Sequence, residues 1–436
     1  MLQLQLHLEQ LTPMDYRIYP PDGMLEATVD LPASKSIALR EIALSWLSGD
    51  ISAAAALTDG NSDAATLYAA LESLSAGNSD IDVRDCGAAM RFVTALAAAT
   101  PGCKVTLGGT ERLNRRPVGS LVDSLRRLGA DISYLGSDGF PPLAIRGQRL
   151  GGGSVSIDAT GSSQYTSALM LATPLMSNPL EITLTGTVQS APYIVMTAGL
   201  LRRRGVEAEV EPTRVTVANS PVNAIAPEVE PDWSAATFWY EIAALSAGWV
   251  TISGLREHSL QGDRGVAPLF ERLGVLTEYT DDGAELSATP DIFSYLDADL
   301  TDMPDSAPAL AVTAALAGLP FRLSGVGVLR TKESDRLEAI ATELAKIGVL
   351  TETENYDTIL VWDGRRRPIV ALPEFDTYGD HRMAMALAPV SIFIPGIVVK
   401  DVEVVGKSYP GYWEALEAAG FRLVDPALPI EQPEEE

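Results

Sequence analysis

Two kinds of helical segment alternate along the chain. One kind is amphipathic and ends in a glycine, and most copies lead into a strand-like run, as in "LRRLGADISYL" and "ELAKIGVLTET". Glycine just past a helix end is the usual left-handed cap. Six glycines mark the copies at spacings of 52, 76, 69, 74 and 72 residues: Gly77, Gly129, Gly205, Gly274, Gly348 and Gly420. Near-constant spacing over six copies indicates an internal repeat.

The second kind of segment begins with small or polar residues and then turns apolar, as in "SKSIALREIALSWL" and "GDHRMAMALAPVSIFI". Its six copies run in phase with the first series, at spacings of 51, 77, 70, 73 and 75 residues, and are marked by Ser34, Asp85, Ser162, Asp232, Asp305 and Asp380. Serine and aspartate are good N-caps, so each marker predicts a helix start. A helix that is apolar on nearly all faces must be buried.

Short strand-like runs, such as "KVTLGG", "LEITLTG", "WVTISGL" and "FRLSGVG", lie between the helices. The N-terminal "MLQLQLHLEQL" also alternates apolar and polar residues and predicts a strand. We therefore predict an α/β protein of six units, three in each of two domains. The buried helices of each domain lie inside and its sheets surround them.

Charge narrows the classes of partner. Asp and Glu number 58 against 32 Lys and Arg, which gives a formal net charge of −26 over 436 residues. A chain this acidic repels nucleic acid and anionic membranes unless its basic residues cluster.

Cysteine content and hydropathy exclude further classes of protein. Cys86 and Cys103 are the only cysteines, with no CxxC motif or Cys/His cluster, so we expect no structural zinc and no disulfide framework. The N-terminus lacks the basic and apolar regions of a signal peptide. The longest apolar run, 383–399, contains Pro389 and Pro395 and is too short to cross a bilayer. We expect a cytoplasmic protein that has no membrane partner.

Polar and basic residues gather at the six buried-helix starts, where unpaired N–H groups carry partial positive charge. In chain order they are Lys35, Ser36 and Arg40, then Gly87 and Arg91, then Ser162, Ser163 and Gln164, then Asp232, then Asp305, and finally Asp380, His381 and Arg382. Any one start is equally well explained as a capped helix with a nearby base. Six starts in register, with bases at three of them, favour a shared site for an anionic ligand.

Eight segments carry a resemblance to a known family: "LPASKSIALR", "CGAAMRF", "RRPVGSLVDSL", "GSSQYTSALM", "QSAPYI", "TKESDRL", "GDHRMAMAL" and "GKSYPGY". In order and spacing, from about residue 30 to residue 420, they resemble the signature segments of the EPSP synthases. The resemblance implies two domains, each of three repeated βαβαββ units with buried helices surrounded by sheets, an inside-out α/β barrel. We predict a middle domain at 34–229 and a second domain of 1–33 plus 230–436, with chain crossings near Ser34 and Pro231.

The resemblance also implies the reaction. The family transfers the enolpyruvyl group of phosphoenolpyruvate to the 5-hydroxyl of shikimate 3-phosphate and releases phosphate, through a tetrahedral intermediate, in the shikimate pathway of aromatic amino-acid biosynthesis. Two phosphates and two carboxylates in the substrates would explain a basic cleft in an acidic protein. No metal or organic cofactor is implied, and we expect a monomer.

The family's site residues carry over position by position. Those implied to bind shikimate 3-phosphate are Lys35, Ser36, Arg40, Ser162, Ser163, Gln164, Ser190, Tyr193, Asp305 and Lys332. Those implied to bind phosphoenolpyruvate are Lys35, Gly87, Arg116, Gln164, Arg336, Arg382 and Lys407. The proton transfers are implied for Asp305 and Glu333, with Lys35 and Lys407 sharing the work. From spacing alone, Asp305 would be a plain N-cap and Glu333 a first-turn carboxylate.

This chain departs from the family pattern at five positions: Ala38, Asp85, Ala88, Pro231 and Val328. At position 85 asparagine is usual. An acid there would either weaken phosphoenolpyruvate binding or simply cap its helix.

Three alternatives compete with this interpretation. The sister family that acts on UDP-N-acetylglucosamine carries a cysteine in the loop before its "RPV"-like segment, but here that loop reads "GGTERLNRRPVG". Nucleic-acid binding, known for related repeats in RNA-end-processing proteins, conflicts with the negative charge and the lack of a basic, aromatic-studded stripe. An inactive scaffold conflicts with the intact charged residues.

Overall fold

The computed structural model describes residues 14–428, so the strand predicted in "MLQLQLHLEQL" lies outside the described residues. The strands are β1 (Tyr16–Tyr19), β2 (Leu25–Val29), β3 (Asp80–Asp82), β4 (Lys104–Gly108), β5 (Asp131–Tyr134), β6 (Leu143–Arg146), β7 (Gly153–Asp158), β8 (Leu180–Thr185), β9 (Ala208–Glu211), β10 (Arg214–Val217), β11 (Gly248–Ser253), β12 (Leu273–Tyr279), β13 (Gly283–Ile292), β14 (Leu296–Asp299), β15 (Phe321–Ser324), β16 (Glu352–Glu354), β17 (Ile359–Trp362), β18 (Glu374–Phe375), β19 (Ile397–Val399) and β20 (Arg422–Val424).

Helices separate these strands. The α-helices are α1 (Lys35–Leu47), α2 (Ser62–Ser75), α3 (Gly87–Ala99), α4 (Glu111–Asn114), α5 (Gly119–Arg127), α6 (Ser163–Ala172), α7 (Ala191–Arg203), α8 (Trp233–Leu245), α9 (Val266–Glu271), α10 (Ala307–Leu316), α11 (Arg336–Lys346), α12 (His381–Leu387) and α13 (Tyr412–Ala418). The 3₁₀ helices are Ile51–Thr58, Thr173–Leu175, Gly262–Gly265, Pro304–Ser306, Gly327–Thr331, Ala388–Ile392 and Val402–Lys407.

Five four-stranded sheets, formed within residues 14–428, share one plan. Their orders are β3-β4-β6-β5, β7-β8-β10-β9, β2-β11-β13-β12, β14-β15-β17-β16 and β18-β19-β1-β20. In each sheet the first two strands are parallel and the other neighbours are antiparallel. A parallel pair needs a crossover, which the buried helix supplies, whereas the antiparallel pairs β5–β6, β9–β10, β12–β13 and β16–β17 are hairpins of consecutive strands. The predicted α/β class of repeated βαβαββ units is thus confirmed.

The first unit departs from this plan. Its described residues form α1, a 3₁₀ helix and α2, and the chain then passes directly into β3 of the next unit. Only 8 residues separate Gly77 from Asp85, whereas 27 to 33 separate the glycine of each later unit from the next helix marker. The connection is too short for the hairpin that completes the other sheets.

The N-terminal segment belongs to the sheets of the C-terminal half. β1 lies between β19 and β20, and β2 pairs in parallel with β11. Its return to the other half is fixed by two backbone hydrogen bonds, from Ser34 N to Glu230 O at 2.8 Å and from Asp232 N to Pro32 O at 2.9 Å. The two chain crossings are therefore adjacent and paired.

The hydrophobic core divides into two clusters. One spans buried residues between 37 and 222, and the other joins residues of 18–29 to residues of 233–421. Every residue of α3 and α10 is buried. α3 contacts α1 and α6, and α10 contacts α8 and α12, so helices occupy the centre of each cluster. On this division we propose 34–229 as one domain and 1–33 with 230–436 as the other.

The predicted helix starts and ends are confirmed with two corrections. All six marker glycines have positive φ, between 74° and 102°. Gly274, however, lies inside β12 at a register shift rather than after a helix. The apolar stretch that begins at His381 is α12 followed by a 3₁₀ helix, because Pro389 cannot continue an α-helical hydrogen-bond pattern. Within residues 14–428, no helix is long and apolar enough to span a membrane.

Glu241 is an unusual residue of the core. It lies in α8 with its side chain fully buried, and neither carboxyl oxygen has a hydrogen-bond partner among the described residues. Burial raises the pKa of Glu241 well above its ordinary value, so the folded protein keeps this carboxyl protonated.

Replacing Glu241 with glutamine should stabilise the protein more as the pH rises. The unfolded chain loses this proton above the ordinary pKa of 4.5, whereas the folded protein retains it. The wild type therefore loses up to about 1.4 kcal/mol of stability per pH unit above that value, until the folded-state pKa is reached. Thermal unfolding between about pH 5 and pH 8 measures the difference. Glu278→Gln, an exposed control on β12, should leave the slope unchanged, and a constant gap between Glu241→Gln and wild type would contradict the prediction.

Candidate active site

The polar residues that mark the starts of the buried helices fall into two groups, those that cap the helix and those that do not. Ser162, Asp232 and Asp380 cap α6, α8 and α12, each accepting a backbone N–H two residues on. The other three markers do not act as caps through their side chains. Ser34 makes no cap hydrogen bond, and Cys86 rather than Asp85 caps α3 by accepting from Ala89 N.

Asp305 is likewise not the N-cap that spacing alone predicts. It lies in the 3₁₀ helix Pro304–Ser306 before α10, and its carboxylate accepts charged side-chain donors instead of a backbone N–H. This placement frees the carboxylate to face the cleft.

One cavity brings the predicted residues together. Fifteen of the sixteen line it: Lys35, Ser36, Arg40, Gly87, Arg116, Ser162, Ser163, Gln164, Ser190, Tyr193, Asp305, Lys332, Glu333, Arg336 and Arg382. The exception, Lys407, lies on an adjoining outer cavity that shares Arg116 and Glu333 with the first. Its Nζ is 3.4 Å from Glu333 Oε1, so it still reaches the common wall.

Arg336 is the centre of the charged cluster. Only 1% of its side chain is exposed, and three carboxylates surround the guanidinium. Asp380 accepts hydrogen bonds from Nε at 2.7 Å and from Nη2 at 3.1 Å. Asp305 accepts one from Nη1 at 2.6 Å, and Glu333 accepts one from Nη2 at 2.9 Å. A buried charge needs this degree of pairing, because its desolvation is costly.

Asp305 and Glu333 are held ionised by their neighbours. Burial raises the pKa of Asp305, but Arg382 at 3.3 Å, Lys332 at 3.2 Å and Arg336 together lower it far below its usual range. Burial likewise opposes the ionisation of Glu333, yet Arg336 and Lys407 hold its pKa well below the ordinary value. Both carboxylates are therefore charged at the cavity wall.

Lys35 is the opposite case. Its Nζ lies 3.3 Å from Asp63 Oδ2, and its backbone N–H reaches Asp232 Oδ2 at 3.4 Å. Burial lowers the pKa of Lys35, but Asp63 and Glu333 outweigh it and raise the pKa above its ordinary value. The ammonium is therefore available as a proton donor. Sequence reasoning missed Asp63, which in the sequence looks like any first-turn acid of an amphipathic helix.

Arg40 is anchored by its own domain. Its guanidinium donates to Thr197 Oγ1 at 2.7 Å, Ser167 Oγ at 3.1 Å and the carbonyls of Ser36 and Tyr193. These bonds orient Arg40 rigidly at the cavity floor. It can offer a ligand few remaining donors and acts mainly through its charge.

Gly87, at the first turn of α3, makes room for two guanidinium groups. A Cβ at this position would lie 2.8 Å from Arg91 Nη1 and 2.9 Å from Arg116 Nη1. A side chain here would make both guanidinium groups shift, so glycine leaves the space that they occupy. Arg116 has one ionic partner among the described residues, Glu333 at 3.9 Å across the cleft.

His381 also lines the cavity, although it is not among the substrate-binding or catalytic residues predicted from the sequence. It is buried, and neither ring nitrogen has a hydrogen-bond partner in the described part of the chain. Burial, Lys35 and Arg382 lower its pKa well below the ordinary value, so the ring is neutral. The sequence contains only three histidines, and that rarity was the one signal that could have pointed to His381.

Comparison with known proteins gives a consistent result. The family pattern of EPSP synthase (3-phosphoshikimate 1-carboxyvinyltransferase) matches residues 52–416. A 3-phosphoshikimate 1-carboxyvinyltransferase of Bacteroides fragilis is 43% identical over 413 residues, 94% of this chain and 99% of that protein. One from Methanospirillum hungatei is 36% identical over 343 residues, 77% of this chain and 78% of its own length. The solved EPSP synthase of Acinetobacter baumannii superposes with a TM-score of 0.73 at 21% identity, over 94% of this chain and all of that one, and so supports the fold.

Asp380→Ala should destabilise the protein strongly. The change removes the cap of α12 and the bidentate partner of buried Arg336. Breaking a buried ion pair costs about 3–5 kcal/mol. Asp335→Ala, which removes the more exposed cap of α11, should cost about 1 kcal/mol. Urea-induced unfolding measures both, and equal losses would show that the Arg336 cluster contributes no more than an ordinary cap.

Proposed function

Since the chain belongs to the EPSP synthase family, the 3-phosphoshikimate 1-carboxyvinyltransferases, and is an enzyme that moves the enolpyruvyl group of phosphoenolpyruvate to shikimate 3-phosphate, we propose that the cleft between its two core clusters is the active site. The observation that carries the proposal is the convergence of cations from both halves of the chain on one cavity. Lys35, Arg40 and Arg116 come from one half, and Lys332, Arg336 and Arg382 from the other. In a protein of net charge −26, such a cavity suits two small polyanions.

The wall formed by α1, α6 and α7 is the proposed site for shikimate 3-phosphate. The N-terminus of α6 presents Ser162, Ser163 and Gln164, and helix N-termini with hydroxyl groups suit phosphate. Ser190 and Tyr193 approach from the start of α7. Lys332 and Asp305 face this wall from the other half and would position the cyclohexene ring of shikimate 3-phosphate and its 5-hydroxyl.

The opposite region is the proposed site for phosphoenolpyruvate. Arg116 has only Glu333 as an ionic partner, and the guanidinium of Arg382 has only Asp305, among the described residues. Both therefore keep unused donors that can form forked contacts with a phosphate or a carboxylate. Lys35, Gln164, Gly87 and Lys407 complete the site, with Gly87 leaving the space for Arg116.

The electrostatics divide the proton transfers. In the addition step the 5-hydroxyl oxygen bonds to C2 of phosphoenolpyruvate and gives up its proton, while C3 gains one. Asp305, ionised, is the proposed acceptor, and Lys35, protonated, is the proposed donor to C3. When the substrate carboxylate engages Arg382 and Arg336, their hold on Asp305 weakens and its basicity rises.

Elimination reverses the proton movement. A proton leaves C3 and the C2–O bond to phosphate breaks, which restores the double bond in the product. Glu333 contacts Lys407 and Arg116 and is the proposed partner for this step, since those cations would be drawn to the departing phosphate. We also propose that the enzyme acts as a cytoplasmic monomer.

Arg382→Lys should raise the KM for phosphoenolpyruvate strongly and spare the binding of shikimate 3-phosphate. Lysine keeps the charge but cannot make a forked contact, a loss of about 1.5–3 kcal/mol. Steady-state kinetics with each substrate varied in turn measures the split. Arg322→Lys, on β15 and outside the residues that line the cavity, is the control and should match wild type. An unchanged KM in Arg382→Lys would remove this residue from the site.

Asp305→Ala and Glu333→Gln should fold, bind shikimate 3-phosphate and lose most of kcat. General acid–base groups contribute about 10²–10⁴-fold. Phosphate release from the two substrates measures turnover, with UDP-N-acetylglucosamine as an acceptor that should give none. Asp297→Ala, an exposed control, should retain full activity. Retention of more than about a tenth of wild-type kcat in either variant would rule out its proposed proton transfer.

A further inference from the structure

Asp85 does not have the capping role that the sequence suggested for it. It does not cap α3, because Cys86 does so. Its carboxylate does not stand alone beside the anion site either. Oδ1 accepts a hydrogen bond from Thr110 Oγ1 and lies 3.3 Å from Arg112 Nε. Thr110 and Arg112 lower the pKa of Asp85 although burial raises it, so the carboxylate stays charged and paired.

The partners of Asp85 belong to the loop that carries Arg116. Thr110 N donates to Arg84 O at 2.9 Å, and the Asn114 side chain brackets Gly109 by bonding both its N–H, at 3.1 Å, and its carbonyl, at 2.8 Å. Gly109 approaches Arg84 so closely that a Cβ would lie 2.2 Å from the Arg84 carbonyl oxygen. The segment 109–116 is thus fastened to the turn before α3, and Asp85 supplies the ionic part of that attachment.

Arg112 also lies close to the other half of the chain. Its Nη1 is 3.6 Å from the place that a Cβ on Gly379 would occupy, and Gly379 immediately precedes Asp380, His381 and Arg382. Asp85, Arg112, Arg116 and Lys407 line the same outer cavity, next to Glu333. The ion pair with Asp85 therefore orients a guanidinium group beside the proposed phosphoenolpyruvate site.

We propose that Asp85 is a positioning residue, which through Arg112 and Thr110 fixes the loop that presents Arg116 to phosphoenolpyruvate. The inference rests on the proposed role of Arg116. It assigns a use to an acid that stands where the family usually has asparagine. A fixed guanidinium loses less conformational freedom when it binds its ligand, so the loop contributes to affinity without touching the substrate.

The alternative, an unpaired negative charge that merely repels the substrate, predicts the opposite sign. If Asp85 positions the loop, Asp85→Ala raises the KM for phosphoenolpyruvate. If it only repels, the same change lowers the KM. Asp85→Asn, which can still accept from Thr110 but loses the charge, should raise the KM by less than Asp85→Ala.

The experiment is a double-mutant cycle read in steady-state kinetics. Asp85→Ala and Arg112→Gln should each raise the KM for phosphoenolpyruvate about two- to fivefold, the range of a partly exposed ion pair. The double variant should be no worse than the poorer single variant, because both act through one contact. kcat, the KM for shikimate 3-phosphate and the melting temperature should stay near wild type. The difference from wild type should shrink at high salt, since both side chains are substantially exposed.

Two further variants separate the possible failures. Asp131→Ala breaks an exposed Asp–Arg pair on β5 and β6, away from the cleft, and should change nothing. Arg116→Gln should raise the KM for phosphoenolpyruvate more than Asp85→Ala does. If Arg116→Gln has no effect, the proposed role of Arg116 fails. If Arg116→Gln raises the KM while Asp85→Ala lowers it or leaves it unchanged, or if the Asp85 and Arg112 effects add, only the positioning inference is overturned.

Discussion

The buried guanidinium of Arg336 is the interaction on which the C-terminal side of the cleft depends. It joins the start of α11 to Asp380 at the start of α12 and to Asp305 before α10. A buried charge is tolerated only when it is paired, and here three carboxylates share the pairing. This requirement fixes three helix starts relative to one another, and it leaves Asp305 and Glu333 charged at the cavity wall.

The same electrostatics link the two halves of the chain. Glu333 Oε1 faces Lys407 from its own half and Arg116 from the other. One carboxylate cannot fully satisfy these cations and Arg336 as well, so the cleft attracts anions although the protein as a whole is strongly acidic. Substrate anions would compete with Asp305 and Glu333 for the cations. Binding then changes the basicity of the two groups proposed to move protons.

The repeat shows which parts of a unit the site needs. The first unit has no sheet of its own in the described residues, yet α1 supplies Lys35, Ser36 and Arg40 to the cavity. α1 is buried by contacts with α2, α3 and α7, which replace the missing cover. The start of α1 thus reaches the cleft without an outer sheet, and in the other units the sheet serves to bury and hold the helix.

The sequence by itself determined the local and repeated features. Segments that are apolar on nearly all faces predicted the buried helices, and glycines predicted the ends of the amphipathic ones. The signature segments predicted fifteen of the residues that meet in one cavity. Tertiary structure alone decided the partners. Asp63, Asp85, Asp305 and Asp380 all stand at or near helix starts in the sequence, but one pairs with Lys35, one with Arg112, and two with Arg336. A helix-start aspartate has the same local signature whether it caps its helix or binds a distant cation. The difference depends on which charges the fold brings within about 4 Å, and a one-dimensional pattern does not contain that distance.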